Sequence, residues 1–195
     1  MILRFKRCPA RLAFLLEGPV RRWLLQPDRL IASLRMPQDS SVLDLGAGTG
    51  VVAEAVLARL RGGRVILLDA QLGMLVRARR RFAGVAGLRP VFAVGTGEFL
   101  PFPEGSFDFA IMVTVLGELD DAQRTIGEVH RVLRPGGVLS ITEHLPDPDF
   151  RSLAAVRALV TAAGFAERNV CGGRWSYTFN ANRIAPPAAQ GERGS

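Results

Sequence analysis

The sequence predicts an α/β fold: a doubly wound, mostly parallel seven-stranded sheet with an antiparallel edge hairpin and N-terminal helices. Three observations carry that prediction. From residue 41 onward, short and nearly unbroken apolar segments alternate with helical ones, the signature of a parallel sheet covered on both faces. A glycine-rich turn, Gly46–Gly50, follows the first apolar segment directly. The last two strand-like segments, 165–170 and 176–182, have no helix between them, so they suit an antiparallel hairpin at one edge.

The elements follow in order. Residues 9–36 read as two helical pieces. Leu12, Leu15 and Leu16 share one face, Gly18-Pro19 interrupt it, and Trp23, Leu24, Leu30, Ile31 and Leu34 resume it with Pro27 as a second break. Strands are predicted over 41–45, 64–68, 88–94, 107–114 and 138–143, the second ending at Asp69. Helices are predicted over 51–61, 72–82, 122–133 and 151–163, with Gly62-Gly63, Pro135-Gly136-Gly137 and Gly164 as stops.

The length of 195 residues fits one domain, given roughly 100–200 residues for each. That domain is expected over 1–184, with a helical cap over 1–36 and a ligand-binding core over 41–145. Residues 185–195, rich in Ala, Pro and Gly, read as a disordered tail. With 48% apolar residues the chain can bury a core without a metal or disulfide staple. Cys8 and Cys171 show neither metal-ligand spacing nor a disulfide framework, which fits a reducing cytoplasm and predicts no metal. The apolar run Leu12–Leu16 is too short for a membrane span.

The formal charge is +7, and it is uneven. Residues 1–36 hold eight arginines and lysines against Glu17 and Asp28, a net +6. The expectation is a solvated basic face, with peripheral contact to an anionic membrane as its functional form. No aromatic stripe is interleaved with the arginines, which argues against nucleic acid as a partner.

The turn Val42-Leu43-Asp44-Leu45-Gly46-Ala47-Gly48-Thr49-Gly50 lies between a strand and a helix, where open α/β sheets bind ligands beyond their strand ends. Asp69 ends the next strand, in the place where a carboxylate accepts both hydroxyls of a ribose. A dinucleotide fingerprint has Gly-x-Gly-x-x-Gly or Ala. Here the third glycine comes one residue early, at Gly50, and Val51 takes the sixth position. Asp44 would repel a diphosphate but suits a ligand carrying an ammonium and a sulfonium.

Four segments in order resemble the class I S-adenosylmethionine-dependent methyltransferases, in particular the type 11 and quinone-biosynthesis-like group. They are 42–50, Leu68-Asp69-Ala70 through Met74-Leu75, 100–108, and Arg131-Val132-Leu133-Arg134-Pro135-Gly136-Gly137. The resemblance implies a Rossmann-like fold, S-adenosyl-L-methionine as cofactor, and methyl transfer to a small-molecule acceptor. It also implies roles. Asp44, Gly46, Ala47 and Gly48 would line the methionine end. Asp69 would hold the ribose, with Ala70 and Gln71 near the adenine. Gly97 and Glu98 would flank the adenine, and Thr114 and Val115 would approach the reacting end. The family often has Asp where this chain has Thr96, so an adenine contact keeps a hydroxyl but loses a charge.

Two residues are candidates for catalysis. His144 follows Glu143 at the carboxyl end of the fifth strand, where a histidine can act as a base near neutral pH. Glu118 follows the fourth strand on the same rim, with a helix-start carboxylate as the structural alternative. His130 reads as structural. Two other functions stay open: a non-catalytic module that holds S-adenosylmethionine or S-adenosylhomocysteine, and a nucleotide-dependent oxidoreductase.

Overall fold

The computed structural model describes residues 26–84, 87, 89–145 and 147–185. In chain order the elements are α1 (Pro27–Ser33), β1 (Ser41–Leu45), α2 (Val51–Leu57), β2 (Arg64–Asp69), α3 (Leu72–Arg81) and β3 (Val91–Val94). They continue with β4 (Phe107–Val113), α4 (Ala122–Val132), β5 (Leu133–His144), α5 (Leu153–Ala162), β6 (Phe165–Gly173) and β7 (Ser176–Arg183). The first helical piece of the N-terminal cap, with Trp23 and Leu24, and the tail beyond Ala185 lie outside the described residues.

The seven strands form one sheet in the order β3-β2-β1-β4-β5-β7-β6. The first five are parallel, and β7 pairs antiparallel with both β5 and β6. The expected edge hairpin is therefore present, with β6 outermost. Side chains alternate along each strand. Leu43, Leu45 and Leu68 pack with Ile126 and Val129 of α4 and Val156 and Val160 of α5. Val42, Val65 and Leu67 face α1, α2 and α3 through Ile31, Val52, Val56 and Ala78. Burial on both faces explains why β1 and β2 read as nearly unbroken apolar runs.

Several boundaries differ from the sequence reading, three of them for a local reason. Pro27 opens α1 rather than breaking a helix, since its missing N–H is an orphan at that position anyway. Helix α2 stops at Leu57, not Arg61, because the N–H groups of Arg61 and Gly62 donate to Gln38 O at 2.8 and 3.0 Å. The segment 131–137 is not a plain helix stop. Helix α4 ends at Val132, and β5 begins at once at Leu133. Pairing with β4 jumps from Phe107↔Leu133 to Phe109↔Val138, so Arg134-Pro135-Gly136-Gly137 form an irregularity inside the strand rather than a loop before it.

Strand order reverses between β1 and β4, whose neighbours lead to opposite edges. That switch point opens a crevice at the carboxyl ends of the strands. The turns after β1, β2, β4 and β5 all meet this rim.

Candidate active site

The turn after β1 is bent by three left-handed glycines, Gly46 (φ 70), Gly48 (φ 53) and Gly50 (φ 79). At Gly46 the need is also steric. A Cβ there would stand 2.4 Å from Val115 Cγ2, so the turn can approach the loop after β4 only without a side chain. Gly46 N and Ala47 N donate to Leu68 O at 2.8 and 3.1 Å, fixing the turn to the end of β2. Above Gly48 a Cβ would meet nothing within 4 Å, so open space lies over the middle of the turn.

Asp69 completes the tie between β1 and β2. Its Oδ2 accepts from Gly48 N at 2.9 Å and its Oδ1 from Gln71 N at 2.8 Å. Asp44 sits 2% exposed beneath the turn, and its Oδ2 has no hydrogen-bond partner. Burial, then the charge of Asp69, push its carboxyl up from 3.8 to about 7. A buried, unpaired carboxylate oxygen beside an open cradle fits a ligand that brings a positive charge or hydrogen-bond donors.

Beyond β3, Gly97 is pressed against α4, where a Cβ would lie 2.5 Å from Thr125 Cγ2. Glu98 accepts from Asp121 N at 3.4 Å, and its carbonyl accepts from Arg124 Nε at 3.1 Å. The Arg124 guanidinium lies 3.9 Å from the centre of the Phe99 ring. Thr96 is partly buried at the start of this turn, and its carbonyl accepts from Phe99 N at 3.4 Å. Ala70 and Gln71 enter α3 directly after Asp69. The residues implied for ribose and adenine thus stand on the adjoining turns after β2 and β3.

The loop after β4 carries Thr114 at φ 53, an uncommon angle for a threonine. Its N–H donates to Thr142 O at 2.8 Å, tying the loop to β5. Val115 is the residue that touches Gly46. Glu118 is not at a helix start: it lies in a turn closed by its N–H on Val115 O at 3.0 Å. The cap of α4 is Asp121, whose Oδ1 accepts from Arg124 N at 2.9 Å.

His144 ends β5, and its Nδ1 shares a hydrogen with Ser176 Oγ at 2.6 Å. Neighbours along a strand point to opposite faces. Ser176 therefore holds His144 on one face, while Glu143 faces the other beside Glu118. Sequence reasoning passed over Glu143, which is 1% exposed and pushed up to about 7, first by burial. A charged residue within the apolar run of β5 was the available signal. His130 packs edge-on against Phe165 at 5.1 Å, away from this rim, as its structural reading implies.

Residues 42–137 match a family described as a methyltransferase domain. The chain is similar to the demethylmenaquinone methyltransferase of a Parafrankia species, 33% identical over 189 residues, 88% of this chain and 72% of that one. It is also similar to the demethylmenaquinone methyltransferase of Thermus thermophilus, 37% identical over 107 residues, 55% of this chain and 48% of that one. The chain spans about half the length of most of the curated relatives it matches. Its fold is similar to that of an S-adenosylmethionine-dependent methyltransferase from Aquifex aeolicus, with a TM-score of 0.81, 22% identity, and 91% and 100% of the two chains covered.

Proposed function

The chain belongs to the class I S-adenosylmethionine-dependent methyltransferases, in the quinone-biosynthesis-like group, and we propose that it methylates a small organic acceptor, with aromatic diols of the quinol type as the leading class. The observation that carries this reading is the pair of buried carboxylates, Asp44 and Asp69, on either side of the Gly46–Gly50 turn at the β1/β4 switch point. Demethylmenaquinone methyltransferase is the name of the relatives above, and it motivates the choice of acceptor.

S-adenosylmethionine supplies a methyl group on a sulfonium, a good leaving group that needs little chemical help. The protein's task is then to bind and orient. Asp44, Gly46, Ala47 and Gly48 would hold the methionine end, with the Asp44 carboxylate facing the ammonium. Asp69 would take the ribose hydroxyls while still accepting from Gly48 and Gln71. Ala70, Gln71, Thr96, Gly97 and Glu98 would frame the adenine. Thr114 and Val115 would flank the reacting end, and Glu118 and His144 are the side chains offered to the acceptor. Asp44 next to the turn disfavours a diphosphate, which speaks against the oxidoreductase reading.

The test is methyl transfer from labelled S-adenosylmethionine to a panel of phenols, quinols and amines. Turnover of a quinol is expected. Tight cofactor binding without turnover on any acceptor would instead support a non-catalytic binding module. Binding of NAD but not S-adenosylmethionine would support the oxidoreductase. Among the described residues no helix is long and apolar enough to cross a membrane. Peripheral contact through the basic residues of 1–36 is part of the proposal, and flotation with anionic vesicles tests it.

A further inference from the structure

Three carboxylates are buried among the described residues: Asp44, Asp69 and Glu143. The first two flank the glycine turn. Glu143 lies two strands away, at the carboxyl end of β5. Its Oε2 accepts from Arg151 N at 3.3 Å, and its Oε1 has no hydrogen-bond partner. Buried carboxylate oxygens in a packed interior are nearly always paired, so this one calls for an explanation.

The strap Asp147–Ser152 covers this carboxylate. Tyr177 of β7 donates its hydroxyl to Arg151 O at 2.6 Å, and Phe150 packs edge-on against the Tyr177 ring at 6.0 Å. On its other side the strap rests on the loop after β4. There a Cβ on Gly117 would stand 1.9 Å from Asp149 O. The strap thus links the loop after β4 to strand β7, and Glu143 lies beneath it.

The groups that face Glu143 are Asp147 and Arg151 from the strap, Glu118 from the loop after β4, and Tyr177 from β7. Asp147 and Glu118 disfavour its charge and Arg151 favours it, with burial the largest influence. A carboxyl that titrates near 7 is matched to taking up a proton at neutral pH.

We propose that Glu143 is a catalytic residue of the methyl-transfer site, its unpartnered Oε1 receiving the proton that a hydroxyl-bearing acceptor gives up as it is methylated. The proposal rests on the methyltransferase reading above. The acceptor gains the methyl carbon and loses its proton to Glu143. The sulfur keeps the electron pair of the broken bond, so one positive charge on sulfur and one negative charge on Glu143 disappear together.

The experiment uses the full chain and 1,4-dihydroxynaphthalene as acceptor, with kcat and KM followed from pH 5.5 to 8.5, a window set around the usual histidine and perturbed-carboxylate range. In wild type, kcat is expected to rise with pH through about 7, the value set by burial of Glu143. Glu143→Gln should lower kcat about 100-fold and flatten the profile. Its affinity for S-adenosylhomocysteine, measured by calorimetry, should stay within about twofold, because Glu143 shares no hydrogen bond with the Gly46–Gly50 turn or Asp69. Tyr177→Phe loosens the strap but keeps the carboxylate, and should keep the pH profile. Glu143→Asp should restore part of kcat, and serves alone if the glutamine variant does not fold. Three results overturn the proposal: a glutamine variant with nearly wild-type kcat, a Tyr177→Phe variant that reproduces its loss, or a wild type that never turns over the diol. In the last case, turnover of another acceptor on the panel would leave the methyltransferase reading standing.

Discussion

Gly48 and Asp69 are joined by a 2.9 Å hydrogen bond from the glycine N–H to Oδ2, while Oδ1 accepts from Gln71 at 2.8 Å. The carboxylate therefore organises two turns before any ligand arrives. Both of its oxygens accept, so an amide cannot replace it: whichever way Asn is flipped, its NH₂ faces an N–H donor. Asp69→Asn is expected to weaken S-adenosylhomocysteine binding by about tenfold or more, since a buried polar mismatch costs about 1–3 kcal/mol. Calorimetric titration of the variant checks this. An unchanged affinity would show that the tie is dispensable.

Asp44 makes the site pH-dependent, with a sign that can be worked out. Its folded carboxyl titrates near 7 instead of 3.8. Between those values the folded protein holds a proton that the unfolded chain has released. Stability from this group is thus greatest at low pH and declines as pH rises toward 7. Asp44→Asn removes that penalty, so the ligand-free variant should melt several degrees above wild type at pH 8 and close to it at pH 5. Cofactor binding should run the other way. In the role proposed for Asp44 the charged carboxylate is the binding form, so wild-type affinity for S-adenosylhomocysteine should climb from pH 5.5 to 7.5 with proton release. Titrations in two buffers of different ionisation enthalpy measure that proton, and the asparagine variant should release none from this position.

Much of the fold was legible because burial on two faces writes itself into the chain. Strands β1 and β2 begin where their apolar runs begin, and the absence of a helix between β6 and β7 gave the edge pair. The reading slipped at Arg134–Gly137, where proline and two glycines look like a stop but occupy an irregularity within β5. It slipped also at Arg61, whose backbone turns away to Gln38. Both are tertiary contacts with no periodic signal. The glycine turn and Asp69 were legible because backbone geometry demands those residue types. Glu143 was not, since a single carboxylate in a strand declares its role only when the strap over it is seen. The adjacent His144 drew attention by residue type, though Ser176 holds it on the opposite face.

Gly46 and Val115 test the switch point directly. Alanine at 46 must adopt a left-handed angle, at about 1–2 kcal/mol, and must also displace Val115, at about 1–3 kcal/mol. Gly46→Ala should therefore be clearly destabilised in chemical denaturation. Adding Val115→Ala should return the steric share but not the backbone share. A double-mutant cycle measures the coupling. A coupling near zero would mean that the two loops do not press on each other in solution.

Gly117 offers the same test for the strap. The atom that its Cβ would meet is a backbone oxygen, Asp149 O at 1.9 Å, with Asp149 Cβ at 2.6 Å. Backbone cannot rotate aside as a side chain can, so Gly117→Ala must lift the strap. The N–H of Arg151 then loses its 3.3 Å bond to Glu143, and hydrogen exchange in 147–152 should accelerate by about tenfold or more, the equivalent of 1.4 kcal/mol of local opening. The contacts of Gly46, Gly48 and Asp69 are untouched, so affinity for S-adenosylhomocysteine should stay within about twofold, as expected for sites that share no partners. Unchanged exchange would show that the strap does not rest on Gly117. Faster exchange with intact cofactor binding would establish that the two halves of the rim, the Gly46–Gly50 turn and the 147–152 strap, open independently.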